Sequence, residues 1–434
     1  MALGGGTFTT MNKLMPGSYI NYVSAARAAA SLSARGIAAL PMKLKWGKDK
    51  TVFSMAAEDF QKEAMDVFGY KYSDAEMLPV REVFKHAEKC LFYKLGDGTA
   101  AECKMSKALY KGSRGNDLKH VVSANVDDAS LYDVETYMGN TLVDSQIVAQ
   151  MADLKDNKFI SWKTDAEIEA TAGMNLTGGT DGTVTGEIHQ AALDALEPYA
   201  FNVLGCMSEE KSVISLYTAY CKRMRDDVGV KFQLVAKGAD ADYIGVINLK
   251  NGVDDAGADT YALVPWVAGA EAGCAVNTTC DNMTYDGEYI VNVDYKNSEF
   301  KTMIENGEFA FHMVENDFKV LSDINSYVST TSNMNDDFKL NQVIRVVDQI
   351  ATDEAAIFNT IYLGKVQNDE DGRVSFWSDC VSIHKELQKS HAIEEFEDDD
   401  ITVERGNDKR TVVTYGNVKP VCAMNKLYMT IAVS

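Results

Sequence analysis

Positive charge is scarce in this chain of 434 residues. Lys and Arg number 42 against 64 Asp and Glu, a net charge of −22. A nucleic-acid binder needs a basic footprint, and so does a protein that docks on anionic lipid; the balance argues against both. It fits a highly soluble subunit, or one that meets a basic surface. Long apolar runs are missing too. None reaches the roughly 18 residues of a bilayer span, and the most apolar window, Tyr261 to Val276, is broken by Pro265, Glu271 and several glycines. The N-terminus lacks the basic region and long apolar core of a signal peptide. The eight cysteines (90, 103, 206, 221, 274, 280, 380 and 422) form no CxxC pair and no zinc spacing. They read as free thiols of a protein folded in reducing cytoplasm.

Catalytic signatures are equally thin. There is no HExxH and no GxSxG elbow. His384 and His391 could share a helix face, but no cysteine or acidic cluster completes a metal site with them. The run Glu394 to Asp400 lacks the spacing of an EF-hand loop and reads as a solvated acidic turn, or a rim that pairs with a basic neighbour. The loop Leu176-Thr177-Gly178-Gly179-Thr180-Asp181-Gly182 invites a phosphate reading, because backbone N–H groups ahead of a helix favour anions. It has neither the GK[ST] ending of a P-loop nor GxGxxG after a strand. A tight crossing between two domains, where glycine supplies positive φ, explains it more simply. The alternative kept open is a cytoplasmic α/β enzyme that binds a phosphorylated ligand there. No cofactor or metal is expected.

What the chain does have is concentrated at its ends. From Ala423 to Ser434 apolar and polar residues alternate, placing Leu427, Met429, Ile431 and Val433 on one face of a strand. Tyr19, Ile20 and Tyr22 sit in a second short strand behind a glycine-rich lead. Two sticky ends on one chain point to strand addition between subunits.

Between them the pattern changes twice. Residues 36–47 and 89–95 read as strands, with helices over 57–68 and 78–86. From about 96 to 173, short alternating segments (101–109, 119–125, 131–138, 141–146) separated by turns read as a β-sandwich or small barrel. Helices over 187–196 and 208–226, the latter capped by Ser208, then alternate with strands at 201–207, 231–236 and 244–249, which implies a largely parallel sheet. Residues 335–364 carry the strongest helical periodicity, with Gly364 as C-cap. The polar face of this helix, with Lys339, Arg345 and Asp348, and Lys365 just beyond, is a candidate partner contact. A helix over 374–389 and a hairpin of 401–404 with 411–415 precede the terminal strand.

Six segments in this order resemble the contractile phage tail sheath family, in the form found in Gram-positive phages and phage-tail-like bacteriocins. They are Met15 to Asn21, Arg35 to Pro41, Leu176 to Gly182, Asn341 to Asp348, Tyr362 to Val366 and Met424 to Thr430. The resemblance implies an α/β multidomain fold. A middle domain (25–95 and 181–330) accepts an inserted β-sandwich (96–180), with Gly178, Gly179 and Gly182 at the domain hinge. An α+β inner domain (331–420) follows, and arms lie at 1–24 and 421–434. It implies stacked six-subunit rings around an inner tube, linked by strand exchange through the arms, and contraction that drives the tube through an envelope. The implied partners are further copies of the chain, the tube protein, and baseplate and terminator proteins, with no nucleic acid and no membrane. The implied place is a virion tail or tail-like particle assembled in the bacterial host cytoplasm. The family has no catalytic site, and its inner domain faces the tube.

Overall fold

The computed structural model describes residues 32–433. Strand β1 (Ile37–Lys43), β2 (Val52–Ala56), helices α1 (Ala57–Phe68) and α2 (Leu78–Val83) and β3 (Lys89–Leu95) open the chain. An excursion follows: β4 (Ser106–Ala108), β5 (Leu118–Ala124), β6 (Tyr132–Met138), β7 (Thr141–Val148), β8 (Ile160–Trp162) and β9 (Thr171–Asn175). The chain returns through α3 (Gly186–Leu196), β10 (Val203–Cys206), α4 (Lys211–Lys222), β11 (Gln233–Lys237), β12 (Val246–Leu249), α5 (Val264–Gly273), α6 (Asn297–Glu305), β13 (Glu308–Phe309) and a hairpin of β14 (Phe311–Val314) with β15 (Asp317–Val320). It closes with α7 (Asn341–Ile357), α8 (Glu370–Lys389) and a hairpin of β16 (Ile401–Arg405) with β17 (Val412–Gly416).

The main sheet runs β13-β12-β11-β10-β1-β3-β2 and is parallel except for β2 against β3. Its central strands are mostly apolar because both faces are covered. Period two divides them: Ala38, Leu40, Val203, Val235 and Ile247 meet α1, α2 and α5 on one face, while Ala39, Leu204, Leu234 and Val246 meet α3 and α4 on the other. The excursion is a sandwich. A four-stranded antiparallel sheet, β7-β6-β5-β9, faces the β4-β8 pair across Met105, Val122, Val134, Ile160 and Trp162. His120 links the layers: its Nε2 lies 2.6 Å from Ser106 Oγ on β4 and its Nδ1 3.2 Å from Thr136 Oγ1 on β6. The architecture is thus a multidomain α/β chain with a β-sandwich and a C-terminal domain. No helix among the described residues is long and apolar enough to cross a membrane.

Several local expectations shift. The strand expected over 101–109 shrinks to β4, because Thr99 and Glu102 pair with the returning Thr180 and Thr177 instead. The helix expected from Ser208 begins at Lys211. The Ser208 hydroxyl accepts from Glu210 N at 3.2 Å in a turn ahead of the helix rather than capping it. That helix then widens into a π-helical turn, Arg223–Val228. The single helix expected over 335–364 is a short 3₁₀ turn (Asp336–Lys339), α7 and a π turn (Phe358–Tyr362), after which Gly364 does adopt positive φ. α8 starts four residues early, where the Asp369 carboxylate accepts from Gly372 N at 2.9 Å. The sequence pattern places neither β2, β8 and β9 nor the elements from α5 to β15. α5 is buried on all sides from Val264 to Ala272, so it has no amphipathic stripe to read.

Candidate assembly interface

The C-terminal arm is rooted and then free. Val421 N donates to Ala392 O at 2.9 Å, Ala423 N to Gln342 Oε1 at 3.1 Å, and Asn425 Nδ2 to Asp281 Oδ2 at 2.8 Å. Beyond Asn425 no strand pairing occurs within the chain among the described residues. Leu427, Met429, Ile431 and Val433 are 84%, 70%, 72% and 94% exposed. So many apolar side chains in a row facing water mark a surface meant to be covered. Tyr19, Ile20 and Tyr22 lie outside the described residues. The start of the described chain is held against α7: Ser33 donates from its N and Oγ to Asp353 Oδ1, at 3.1 and 2.5 Å.

The C-terminal domain also offers an edge. β16 and β17 pair only with each other among the described residues. Thr402 to Arg405 and Val413 to Gly416 are mostly exposed, with Val413 and Tyr415 among the exposed apolar side chains. Open backbone on a short, twisted hairpin is a template for an added strand. Beside it, a cleft of about 370 Å³ lined by Phe358, Leu363, Val366, Phe376 and Val412 and rimmed by Arg373, Lys409 and Arg410 separates the hairpin from the α7–α8 turn.

Two of the four expected contact residues on or beside α7 point the wrong way. Arg345 is 1% exposed. It donates to Glu271 Oε2 at 2.5 Å, Asp323 Oδ2 at 2.7 Å and Thr278 O at 3.0 Å. Asp348 receives both Nη atoms of Arg225, at 2.7 and 2.8 Å. These side chains bind α7 to the α/β sheet, so neither is a surface contact. Asn341, Arg345, Gln349 and Asp353 repeat at four-residue spacing and are all buried. This is a polar stripe facing inward, and its strict spacing was the available sign. Lys339 is half-buried and donates to Glu305 O at 3.3 Å; Lys365 is exposed and donates to Thr360 O at 2.6 Å.

The electrostatics of the Arg345 site follow from crowding. Burial and the neighbouring Asp323 push Glu271 well above the carboxylate range. Against the cost of burial, Arg345 holds Asp323 below it. The guanidinium, buried but facing both, keeps its charge. Asn341 adds bonds to Asp323 Oδ1 at 2.8 Å and from Gln233 Nε2 at 2.9 Å. Sequence reasoning missed both this site and the Arg225 pair, because their partners lie far apart in the chain.

The glycine loop is the return half of the crossing to the sandwich. Thr99 and Thr180 exchange backbone bonds at 3.1 Å each way, and Glu102 and Thr177 do so at 2.8 and 3.0 Å. Asn116 clasps Gly179 from both sides, at 2.8 and 2.9 Å, and the Asp181 carboxylate accepts from Ser113 N and Oγ at 2.6 and 2.8 Å. Gly178 and Gly182 have φ of +84° and +71°, and a Cβ on Gly179 would sit 2.5 Å from Gly112 O. The N–H groups of Thr177, Gly179 and Thr180 are spent on the chain itself, and α3 begins only at Gly186. The phosphate-cradle alternative is overturned on this geometry.

Comparison with known proteins agrees from end to end. Residues 35–95 match the N-terminal region of domain III of the tail sheath protein Gp18, and residues 96–181 the phage tail sheath β-sandwich domain. Residues 182–326 match the phage tail sheath central domain, and residues 333–434 its C-terminal domain. A crystal structure of a sheath tail protein from Desulfitobacterium hafniense superimposes with a TM-score of 0.84 at 34% identity, over 95% of this chain and 99% of that one. The phage-like element PBSX protein XkdK of Bacillus subtilis is 30% identical over the full length of both chains. The helical sheath of the anti-feeding prophage in its contracted state shares the fold alone, at 11% identity and a TM-score of 0.58 over 96% of this chain and 98% of that one. With sheath domains running in order along the described chain and full-length relatives on either side of one-third identity, the chain belongs to the phage tail sheath family, whose members are structural proteins rather than enzymes.

Proposed function

We propose that the chain is the repeating subunit of a contractile sheath, stacked as six-subunit rings around an inner tube and joined copy to copy by its arms. The observation that carries this reading is the arm: an alternating apolar stripe, rooted by side-chain bonds at Gln342 and Asp281, with its apolar side chains in water. Its complement is the open β16–β17 hairpin on the same domain. An added strand there would gain main-chain hydrogen bonds, with its apolar side chains covered by the neighbour. Tyr19, Ile20 and Tyr22 would supply the second added strand. Contacts between unlike patches that do not close produce a helix of subunits, as a sheath requires.

Contraction then shifts the population from an extended to a shortened lattice while arms keep neighbours joined, and it drives the tube through the target envelope. In this reading the domains are the 25–95/181–330 α/β unit, the 96–180 sandwich and the 331–420 inner unit, with arms at 1–24 and 421–434. Gly178, Gly179 and Gly182 mark the pivot between the first two. Lys339 and Lys365 remain candidates for facing the tube protein. Baseplate and terminator proteins cap the ends of a virion tail or tail-like particle assembled in the host cytoplasm. Deletion of Leu427 to Ser434 tests the arm. The truncated chain should keep the circular dichroism and melting profile of the parent and form no cylinders under negative-stain microscopy; cylinders of normal length from it would contradict the proposal.

A further inference from the structure

The cleft beside the β16–β17 hairpin is cationic, in a chain whose net charge is −22. Asn368 builds one wall of it. Its Nδ2 donates to Lys409 O at 3.2 Å and to Thr411 O at 2.9 Å, which ties the hairpin turn to the start of α8. Its O and Oδ1 accept from Arg373 Nη1 at 3.1 and 3.0 Å. The π turn after α7 brings Phe358 to the floor, beside Phe376 and Val412. Leu363 and Val366, on the same floor, are 58% and 41% exposed. The charged side chains that line the cleft, Arg373, Lys409 and Arg410, are all positive, and none makes an ion pair among the described residues. An apolar floor under unpaired cations suits an occupant that is apolar at its tip and anionic beside it.

The arms lack that character. Residues 421–434 carry Lys426 as their one charged side chain, and residues 1–34 carry Lys13 and Arg27 with no acid. The turn between β5 and β6 has it. Val126 is 95% exposed, and the exposed Asp127 and Asp128 follow. The turn is tied to itself. Asn125 Oδ1 accepts from the N of Asp127 and of Asp128, at 3.0 Å each, and Asn125 N donates to Leu131 O at 2.9 Å. Asp128 Oδ1 accepts from Ser130 N and Oγ at 2.9 and 2.6 Å. These bonds hold Val126 outward before any partner arrives, which lowers the ordering cost of docking. The Asp127 carboxylate has no hydrogen bond or ion pair among the described residues. Val228 and Ile290 also stand near acids, but they are 50% and 56% exposed, and Asp226 and Glu288 beside them already hold Tyr243 and Arg81.

We propose that the β5–β6 turn of one copy docks in the cleft of another, with Val126 on Leu363 and Val366 and Asp127 paired with Arg410. The contact joins two unlike surfaces, so repeating it extends an array of copies rather than closing a pair. It rests on the reading that copies of this chain assemble. To the arms it adds a second link, between the sandwich of one subunit and the C-terminal domain of the next, and this link weakens with salt.

The test is a charge swap in the full-length protein, read as the lowest concentration at which cylinders sediment. Arg410→Glu and Asp127→Lys are each expected to raise that concentration about tenfold, because like charges then face each other, and the two changes together to bring it back within about threefold of the parent. Single variants that assemble like the parent, or a double variant no better than the worse single one, would overturn the proposal. An effect of Arg410→Glu with none from Asp127→Lys would also overturn it, since another occupant then fills the cleft. A parent chain that forms no cylinders at any salt or concentration would instead remove the sheath reading, and this contact with it. Both positions lie on the surface, so matched melting profiles separate a lost contact from a lost fold. Lys409→Glu takes the place of Arg410→Glu if the latter melts below the parent.

Discussion

Removing the Arg345 guanidinium leaves the Asp323 carboxylate without its counter-charge, and Glu271 without a hydrogen-bond donor, in a site closed to water. Breaking a buried pair from one side costs about 3–5 kcal/mol, since the stranded partner keeps its desolvation penalty. Arg345→Met, similar in length and uncharged, is therefore expected to lose on that scale in urea unfolding. A loss below about 1 kcal/mol, as for an exposed pair, would show that the site holds nothing together. His120 supplies a pH test. Burial lowers it from 6.5 to about 4, so the folded chain favours the neutral ring. A base with a depressed folded value contributes its full stability above pH 6.5, and that contribution is lost as pH falls from 6.5 towards 4. The loss is on the order of 3 kcal/mol. Burial lowers His189 and His384 as well. The expected result is a urea midpoint that falls across this window and falls less steeply in His120→Gln. Equal slopes in the two proteins would remove His120 as a cause. Neither role was legible in the sequence. Arg345 reads as one charge on a wet helix face and no motif singles out His120, because what fixes each role is a partner on another segment.

At the scale of elements, the crossing between sandwich and sheet depends on backbone approaching backbone. Gly179→Ala would place a methyl 2.5 Å from Gly112 O, a contact that only a backbone shift relieves. Overpacking of this kind costs about 1–3 kcal/mol. The expected outcome is a lower melting temperature together with faster protease nicking near 96–99 and 177–182. An unchanged nicking pattern would mean that the crossing tolerates the shift. Elements were legible where a regular period or a run of strand-forming residues stood between turn residues. α1 and β3 match the expectation to the residue, β5, β6 and β7 to within two residues, and the β16–β17 hairpin to within one, whereas β4 is far shorter than expected and β8 and β9 were not expected. Elements were illegible where a helix is buried on all sides and so has no stripe, as in α5, and where long-range pairing took the backbone, as at Glu102. The π turn after α4 carries Arg225 to Asp348, a local widening that periodicity alone does not announce.

For the whole molecule, the family and the β-sandwich set between the α/β segments were the readable part. The arm's apolar residues sit in water in the isolated chain, and that exposure is the reason to expect another copy over them. The central claim is strand exchange between copies. A helical reconstruction of the assembled cylinders, at a resolution that traces side chains, tests it most directly. The account predicts that residues 427–433 of each copy lie as a strand hydrogen-bonded along the β16–β17 hairpin of a neighbour. Arms folded back on their own subunit, or hanging unpaired while the cylinder stands, would contradict it.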